Sequence, residues 1–160
     1  MAKKVRIKKT LVEQILTKAG IKHKGIQVNA LEGQIPSGYE KHQIFKTLAL
    51  LGDKTGPIIG IIPITEHLSE KKLAKILGNK KVNMIPQKDL EKTTGYIHGA
   101  NNPVGIRQKH HYPIFIDQSS LSLKDIIVSA GEVGHSIIIN PEDLAKFVRA
   151  EFADILLDSE

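Results

Sequence analysis

Among the lysines of this chain, Lys46 has unusual company: it stands in the run Ile44-Phe45-Lys46-Thr47-Leu48. Side chains of a strand alternate between two faces, so Ile44 and Leu48 share the face of Lys46. A cation on an apolar strand face is either an inward charge awaiting an anionic partner or an edge residue whose long stem carries the ammonium to water. The pattern alone leaves both open. A second stretch of interest is Tyr96–Gly105, where glycine, asparagine and proline dominate. Such a loop either adopts unusual backbone conformations close to a ligand or serves as a tight connection. His98, within it, is the best placed of the seven histidines for general-base work, although an exposed loop histidine is the simpler reading. Neighbouring side chains on a strand diverge, so His110 and His111 lack a third ligand at suitable spacing, and no metal is expected. Lys54 and Thr55 lie in Gly52–Gly56, which lacks the spacing and following helix of a phosphate-binding loop and reads as a hairpin turn. The absence of cysteine excludes disulfides, thiolate metal sites and a cysteine nucleophile, and no serine–histidine constellation stands out.

These residues must be positioned by short elements. Leu11, Ile15 and Leu16 recur at helical spacing in Lys9–Ala19, with Gly20 as the stop. Ile21–Ala30 alternates loosely like a strand, and Leu31–Tyr39 reads as a loop. Gln43–Leu51 and Pro57–Ile64 form a hairpin around Gly52–Gly56, which places Lys46 on its first arm. Thr65 or Ser69 caps a helix through Leu77, stopped by Gly78. A short strand at Lys81–Ile85 and a short helix at Gln87–Lys92 precede the glycine-rich loop. Strands follow at Tyr112–Asp117, Asp125–Ser129 and His135–Ile139, with a turn at Ala130–Gly134. Asn140 and Pro141 open a final helix, expected to run through Phe152. The sum is a mixed α/β fold with six or seven short strands.

With 160 residues, 41% hydrophobic and 25% charged, the chain is expected to fold as one domain spanning 1–160. Its net charge of +6 suits a polyanionic partner without requiring one, since basic proteins need not bind nucleic acid. An aromatic content of 4% argues against a stacking platform for single strands, so phosphates and a terminal nucleotide are the expected handles on any RNA. The basic start MAKKVRIKK is followed by an apolar stretch broken by Glu13, Gln14 and Lys18, unlike a secretory leader. Pro57–Thr65 is about half of what a bilayer span needs. No membrane association is expected, and the cytoplasm is the expected compartment.

From about residue 40 onward the blocks IFKTL, KKLAKILGNKKV, TGYIHGANNPVG, PIFIDQS, IIVSAGEVGHSI and DLAKFVRAEFADI follow one another in an order and at spacings that resemble the YbaK/prolyl-tRNA-synthetase-associated editing family. No single block is specific; the ordered set is. The resemblance implies a barrel-like mixed sheet flanked by helices, and hydrolysis of wrongly charged tRNA. The partners it implies are the aminoacyl 3′ end of tRNA and a prolyl-tRNA synthetase. It implies no cofactor. It makes Lys46 the required lysine, with Phe45 and Thr47 beside it in contact with substrate. Gly99, Ala100, Asn101, Asn102 and Pro103 become the loop that clasps the ester. Ser129-Ala130-Gly131 stands where the family has Ser-Gly-Gly, a change that preserves a narrow wall. Ser136 occupies the position at which cysteine-specific members carry an acidic residue. The first forty residues resemble the family weakly, and no site residue is carried over from them.

An aminoacyl ester is already activated, so an enzyme needs mainly to position it and to stabilise charge on the carbonyl oxygen. Backbone N–H groups of Gly99–Asn102 could do the second. Lys46 could hold phosphate or ribose oxygens of the terminal adenosine as a point charge. The resemblance also implies substrate assistance, in which a cysteinyl thiol attacks its own carbonyl and the protein supplies no nucleophile. Cysteinyl-tRNA(Pro) is therefore the expected substrate and alanyl-tRNA(Pro) the next. The other readings are a non-catalytic regulator binding tRNA ends or the synthetase, and a binder of small anions.

Overall fold

The computed structural model describes residues 9–158; the basic start of the chain at 1–8 lies outside them. The described residues form five α-helices and two sheets of strands, one of three in the order β1 (Lys24–Ile26), β7 (Ser136–Ile139), β6 (Ile126–Ser129) and one of five in the order β4 (Val82–Met84), β2 (Phe45–Gly52), β3 (Gly56–Pro63), β5 (Ile114–Asp117), β8 (Glu151–Ala153). The mixed α/β class is as expected. The sheet is not a closed barrel, and the strand count exceeds the expectation by one.

Helix α1 (Leu11–Lys18) begins where Thr10 and Glu13 form a reciprocal cap: Glu13 N–H donates to Thr10 Oγ1 at 3.3 Å, and Thr10 N–H donates to Glu13 Oε2 at 2.7 Å. Strand β1 is only Lys24–Ile26. Strands β2 (Phe45–Gly52) and β3 (Gly56–Pro63) make the predicted hairpin in antiparallel register, with Lys46 opposite Ile62 and Gly52 opposite Gly56. Strand β3 is isoleucine-rich on both sides because it is covered on both. Ile59 and Ile61 enter one core with Phe45, Ala49, Ile114 and Ile116, whereas Ile58 and Ile62 enter another with Leu50, Leu73 and Phe115. Helix α2 (Glu70–Leu77), capped by Ser69, packs Leu73 and Ala74 into the second core. Strand β4 (Val82–Met84) pairs with β2 only at Leu50–Gly52, and α3 (Gln87–Thr94) follows.

Two expectations fail. Residues 96–105 are not all loop: Pro103–Lys109 form helix α4, with Asn102 as its cap and Pro103 at its first turn. After β5 (Ile114–Asp117), β6 (Ile126–Ser129) and β7 (Ser136–Ile139), helix α5 occupies Pro141–Val148 and stops well before Phe152. Arg149 takes a left-handed conformation there (φ 57°), and Glu151–Ala153 become strand β8, parallel to β5. The two sheets share a core filled by Val104 and Ile106 of α4, Leu144 and Val148 of α5, and the inward isoleucines of β6 and β7. A parallel bridge between Ile44 and Ile127 joins them two residues before Lys46. Among the described residues no helix is long and apolar enough to cross a membrane.

Candidate functional site

Between the bridge at Ile44 and the β4 pairing at Leu50, β2 has a strand neighbour on one side only. A cleft of about 290 Å³ opens along this gap, lined by Lys46, Thr47, Leu48 and Ala49. Its other walls come from five separate places. Leu31 and Glu32 belong to a 3₁₀ turn at Ala30–Glu32, Ile64 follows β3, Met84 ends β4 and Ile85 follows it, Gln87 and Leu90 lie on α3, and His98, Gly99 and Asn101 belong to the loop before α4. Lys46 is half-buried and lines the cleft beside apolar Leu31, Leu48, Ile64 and Leu90.

The loop owes its shape to side chains that replace missing strand partners. Gly95 ends α3 in a left-handed conformation, and its N–H donates to the Glu91 carbonyl at 2.7 Å. Residues Ile97–Ala100 make a turn closed by Ala100 N–H donating to the Ile97 carbonyl at 3.0 Å. Gly99 sits in this turn with φ 88°, a conformation that a side chain would strain. Asn101 Nδ2 donates to the Thr47 carbonyl at 3.1 Å, tying the loop to the open edge of β2. Asn102, fully buried, donates from Nδ2 to the Ala100 carbonyl at 3.1 Å and accepts from Gly105 N–H at 2.7 Å. The hydroxyl end of Tyr96 rests against Gly105, where a Cβ would overlap it, so the chain entering the loop and the helix leaving it are packed together.

The residues expected from sequence divide into two layers. Lys46, Thr47, Gly99 and Asn101 meet in the cleft. Phe45 is wholly buried in the shared core, Ala100 and Pro103 are buried, and Asn102 braces the loop from within. Ser129 and Gly131 support the loop from behind: Ser129 Oγ donates to the Gly99 carbonyl at 3.4 Å and accepts from Gly131 N–H at 3.2 Å, and a Cβ at Gly131 would stand 3.3 Å from Asn102 Nδ2. Ser136 is buried and donates to the Val28 carbonyl at 2.9 Å, away from the cleft lining. Of the loop N–H groups, that of Ala100 is taken up by the turn, whereas among the described residues no hydrogen bond occupies those of Gly99, Asn101 and Asn102.

His98 is exposed at the cleft edge. His110 stacks its ring on Tyr112 with centroids 4.5 Å apart, which accounts for one member of the histidine pair. Among the described residues no group of three or more His, Cys, Asp or Glu side chains is arranged to hold a metal ion. The Gly52–Gly56 segment is a turn stapled from outside: Asn79 Oδ1 accepts from Lys54 and Thr55 N–H, and Asp53 Oδ1 accepts from Lys80 and Lys81 N–H. Sequence reasoning missed Leu31, Glu32, Ile64, Met84, Ile85, Gln87 and Leu90 as cleft residues. They are scattered over sixty positions and carry no common motif.

Residues 32–147 match the model of the aminoacyl-tRNA editing domain, a span that includes every cleft wall except Leu31. The chain is 45% identical over 118 residues to EbsC of Enterococcus faecalis, a candidate Cys-tRNA(Pro)/Cys-tRNA(Cys) deacylase, covering 74% of this chain and 71% of that one. It is 27% identical over 105 residues to a proline–tRNA ligase of Limosilactobacillus fermentum, of which it spans only 18%. A crystal structure of a candidate trans-editing enzyme for prolyl tRNA synthetase superposes with a TM-score of 0.80 over 92% of this chain and 95% of that one, at 22% identity, and so shares its fold. With a cleft built from the matched blocks and a family model covering most of its length, the chain belongs to the aminoacyl-tRNA editing domain family.

Proposed function

We propose that this protein deacylates mischarged tRNA(Pro), with the cysteinyl ester as preferred substrate. The observation that carries this reading is the meeting of Lys46 with the Gly99–Asn101 loop in one small cleft, held by the Asn101–Thr47 hydrogen bond. The name of the Enterococcus relative points to the same ester.

In this reading the Lys46 ammonium holds phosphate or ribose oxygens of the terminal adenosine. The free N–H groups of Gly99 and Asn101 face the ester carbonyl and stabilise the charge that develops on its oxygen. The cysteinyl sulfur attacks its own carbonyl carbon, the carbon–sulfur bond forms as the ester carbon–oxygen bond breaks, and the thiol proton passes to the leaving ribose oxygen. The thiolactone then hydrolyses. Substrate assistance suits a cleft without a protein nucleophile. An alanyl ester is the second choice, favoured by the apolar walls. Prolyl-tRNA synthetase is the proposed partner, and the cytoplasm the proposed place of action.

The test is release of the amino acid from tRNA(Pro) charged with cysteine, serine, alanine or proline. One methylene in an apolar pocket is worth only about 1–3 kcal/mol, so size filters small acyl groups poorly. If the thiol does the chemistry, cysteinyl-tRNA is cleaved far faster than its near-isostere seryl-tRNA. Equal rates on cysteinyl and alanyl esters rule out substrate-assisted attack and make a bound water the nucleophile.

A further inference from the structure

Among the described residues three buried side-chain oxygens lack a hydrogen-bond partner: Thr47 Oγ1, Asn101 Oδ1 and Ser120 Oγ. Two of the three belong to residues lining the same cleft. Thr47 is 8% exposed and Asn101 5%, so solvent offers these atoms little. Buried polar atoms in folded proteins are nearly always paired, and two orphans in one cavity point to a ligand that brings the partners.

The kind of partner follows from the donor and acceptor inventory. Asn101 Nδ2 donates to the Thr47 carbonyl, and turning the amide over would set two acceptors against each other. Oδ1 is therefore the end left free, and it can only accept. Thr47 Oγ1 can accept or donate. A ligand filling the site must present a donor to Asn101. On an aminoacyl ester the donors are the α-amino group and the ribose hydroxyls. The α-amino group is one carbon from the ester carbonyl, and the backbone N–H of Asn101 itself is one of the free loop donors for that carbonyl's oxygen. An ammonium also gains more from such an acceptor than a neutral hydroxyl does.

We propose that Asn101 Oδ1, with Thr47 Oγ1 as second partner, binds the α-amino group of the esterified amino acid, so that the site selects acyl groups carrying a free α-amino group. This rests on the deacylase reading and adds to it a specificity determinant. The probe is a pair of esters on the same tRNA, cysteinyl and 3-mercaptopropionyl, identical except for the amino group. A site built to hydrogen-bond a substrate group rejects the analogue lacking it strongly, so wild type should cleave the cysteinyl ester at least about a hundredfold faster. Asn101→Leu should reduce that ratio at least about tenfold, and the isosteric Thr47→Val should reduce it less, since Asn101 remains in place. Equal wild-type rates on the two esters overturn the assignment while leaving the deacylase reading intact, and need no variant to fold. A folded Asn101→Leu protein that slows both esters by the same factor also overturns it and gives Oδ1 to a ribose hydroxyl. Cleavage of neither ester by wild type overturns the deacylase reading and the assignment together.

Discussion

Replacement of Asn102 by alanine should damage both stability and turnover, because this fully buried side chain holds the substrate loop and begins α4 at once. Alanine removes the acceptor at 2.7 Å from Gly105 N–H and the donor at 3.1 Å from the Ala100 carbonyl. Loss of an asparagine cap costs about 1 kcal/mol. A buried carbonyl left unpaired costs about 1–3 kcal/mol, and the Ala100 carbonyl, with the second lone pair still available, belongs at the lower end. The total is about 2–3 kcal/mol. At about 2–4 °C of melting temperature per kcal/mol for a chain of this size, the midpoint should fall by about 4–12 °C. Asn102→Ser restores a good cap but not the donor to Ala100, so it should recover about half of the loss. Thermal denaturation followed by circular dichroism reads the stability, and deacylation at a temperature well below both midpoints reads the loop. A shift under about 1 °C for Asn102→Ala, or a serine variant as damaged as the alanine one, refutes the claim that this side chain joins loop and helix.

Lys46→Arg should fold normally yet fail in turnover, since a planar guanidinium fork cannot replace a compact ammonium in a narrow cleft, and near-normal rates would remove the point-charge role. Gly99→Val should abolish most activity, because Gly99 has φ 88°, a conformation that a β-branched side chain strains; a crystal structure or activity assay showing an undisturbed loop contradicts this. His98→Ala should reduce the rate by less than about tenfold, the worth of one modest hydrogen bond, and a larger loss with an altered pH profile makes His98 a general base. Ser136→Ala should cost about 1 kcal/mol of stability through the lost bond to Val28, with little change in rate at saturating substrate.

Much of the fold was legible because local signals agreed with tertiary placement. Ser69 and Asn140 cap helices as their types suggest, and the Gly52–Gly56 turn sets the register that puts Lys46 opposite Ile62. Helix α4 was hidden by the glycines around it, although Asn102-Pro103 is the same cap signal as Asn140-Pro141, which was read correctly. The end of α5 had no local signal at all: Arg149 takes the left-handed position usually given to glycine, and pairing with β5 turns Glu151–Ala153 into strand. At the site, Lys46 and the glycine-rich loop stood out from their own neighbours. That Asn101 reaches the Thr47 carbonyl, fifty-four positions away, is a property of the fold and could not be read from either segment. The two-layer division, with Ser129 and Gly131 behind the loop and Ser136 turned to the Val28 carbonyl rather than to the cleft, likewise depends on how the strands pack around the shared core.

The most direct test compares wild type with Lys46→Ala, both shown to be folded by circular dichroism, in the release of cysteine from cysteinyl-tRNA(Pro). Rapid release by wild type and release at the uncatalysed background by Lys46→Ala are the predicted results. Background release by wild type, or equal release by the two proteins, contradicts the account of this cleft as a lysine-dependent deacylation site.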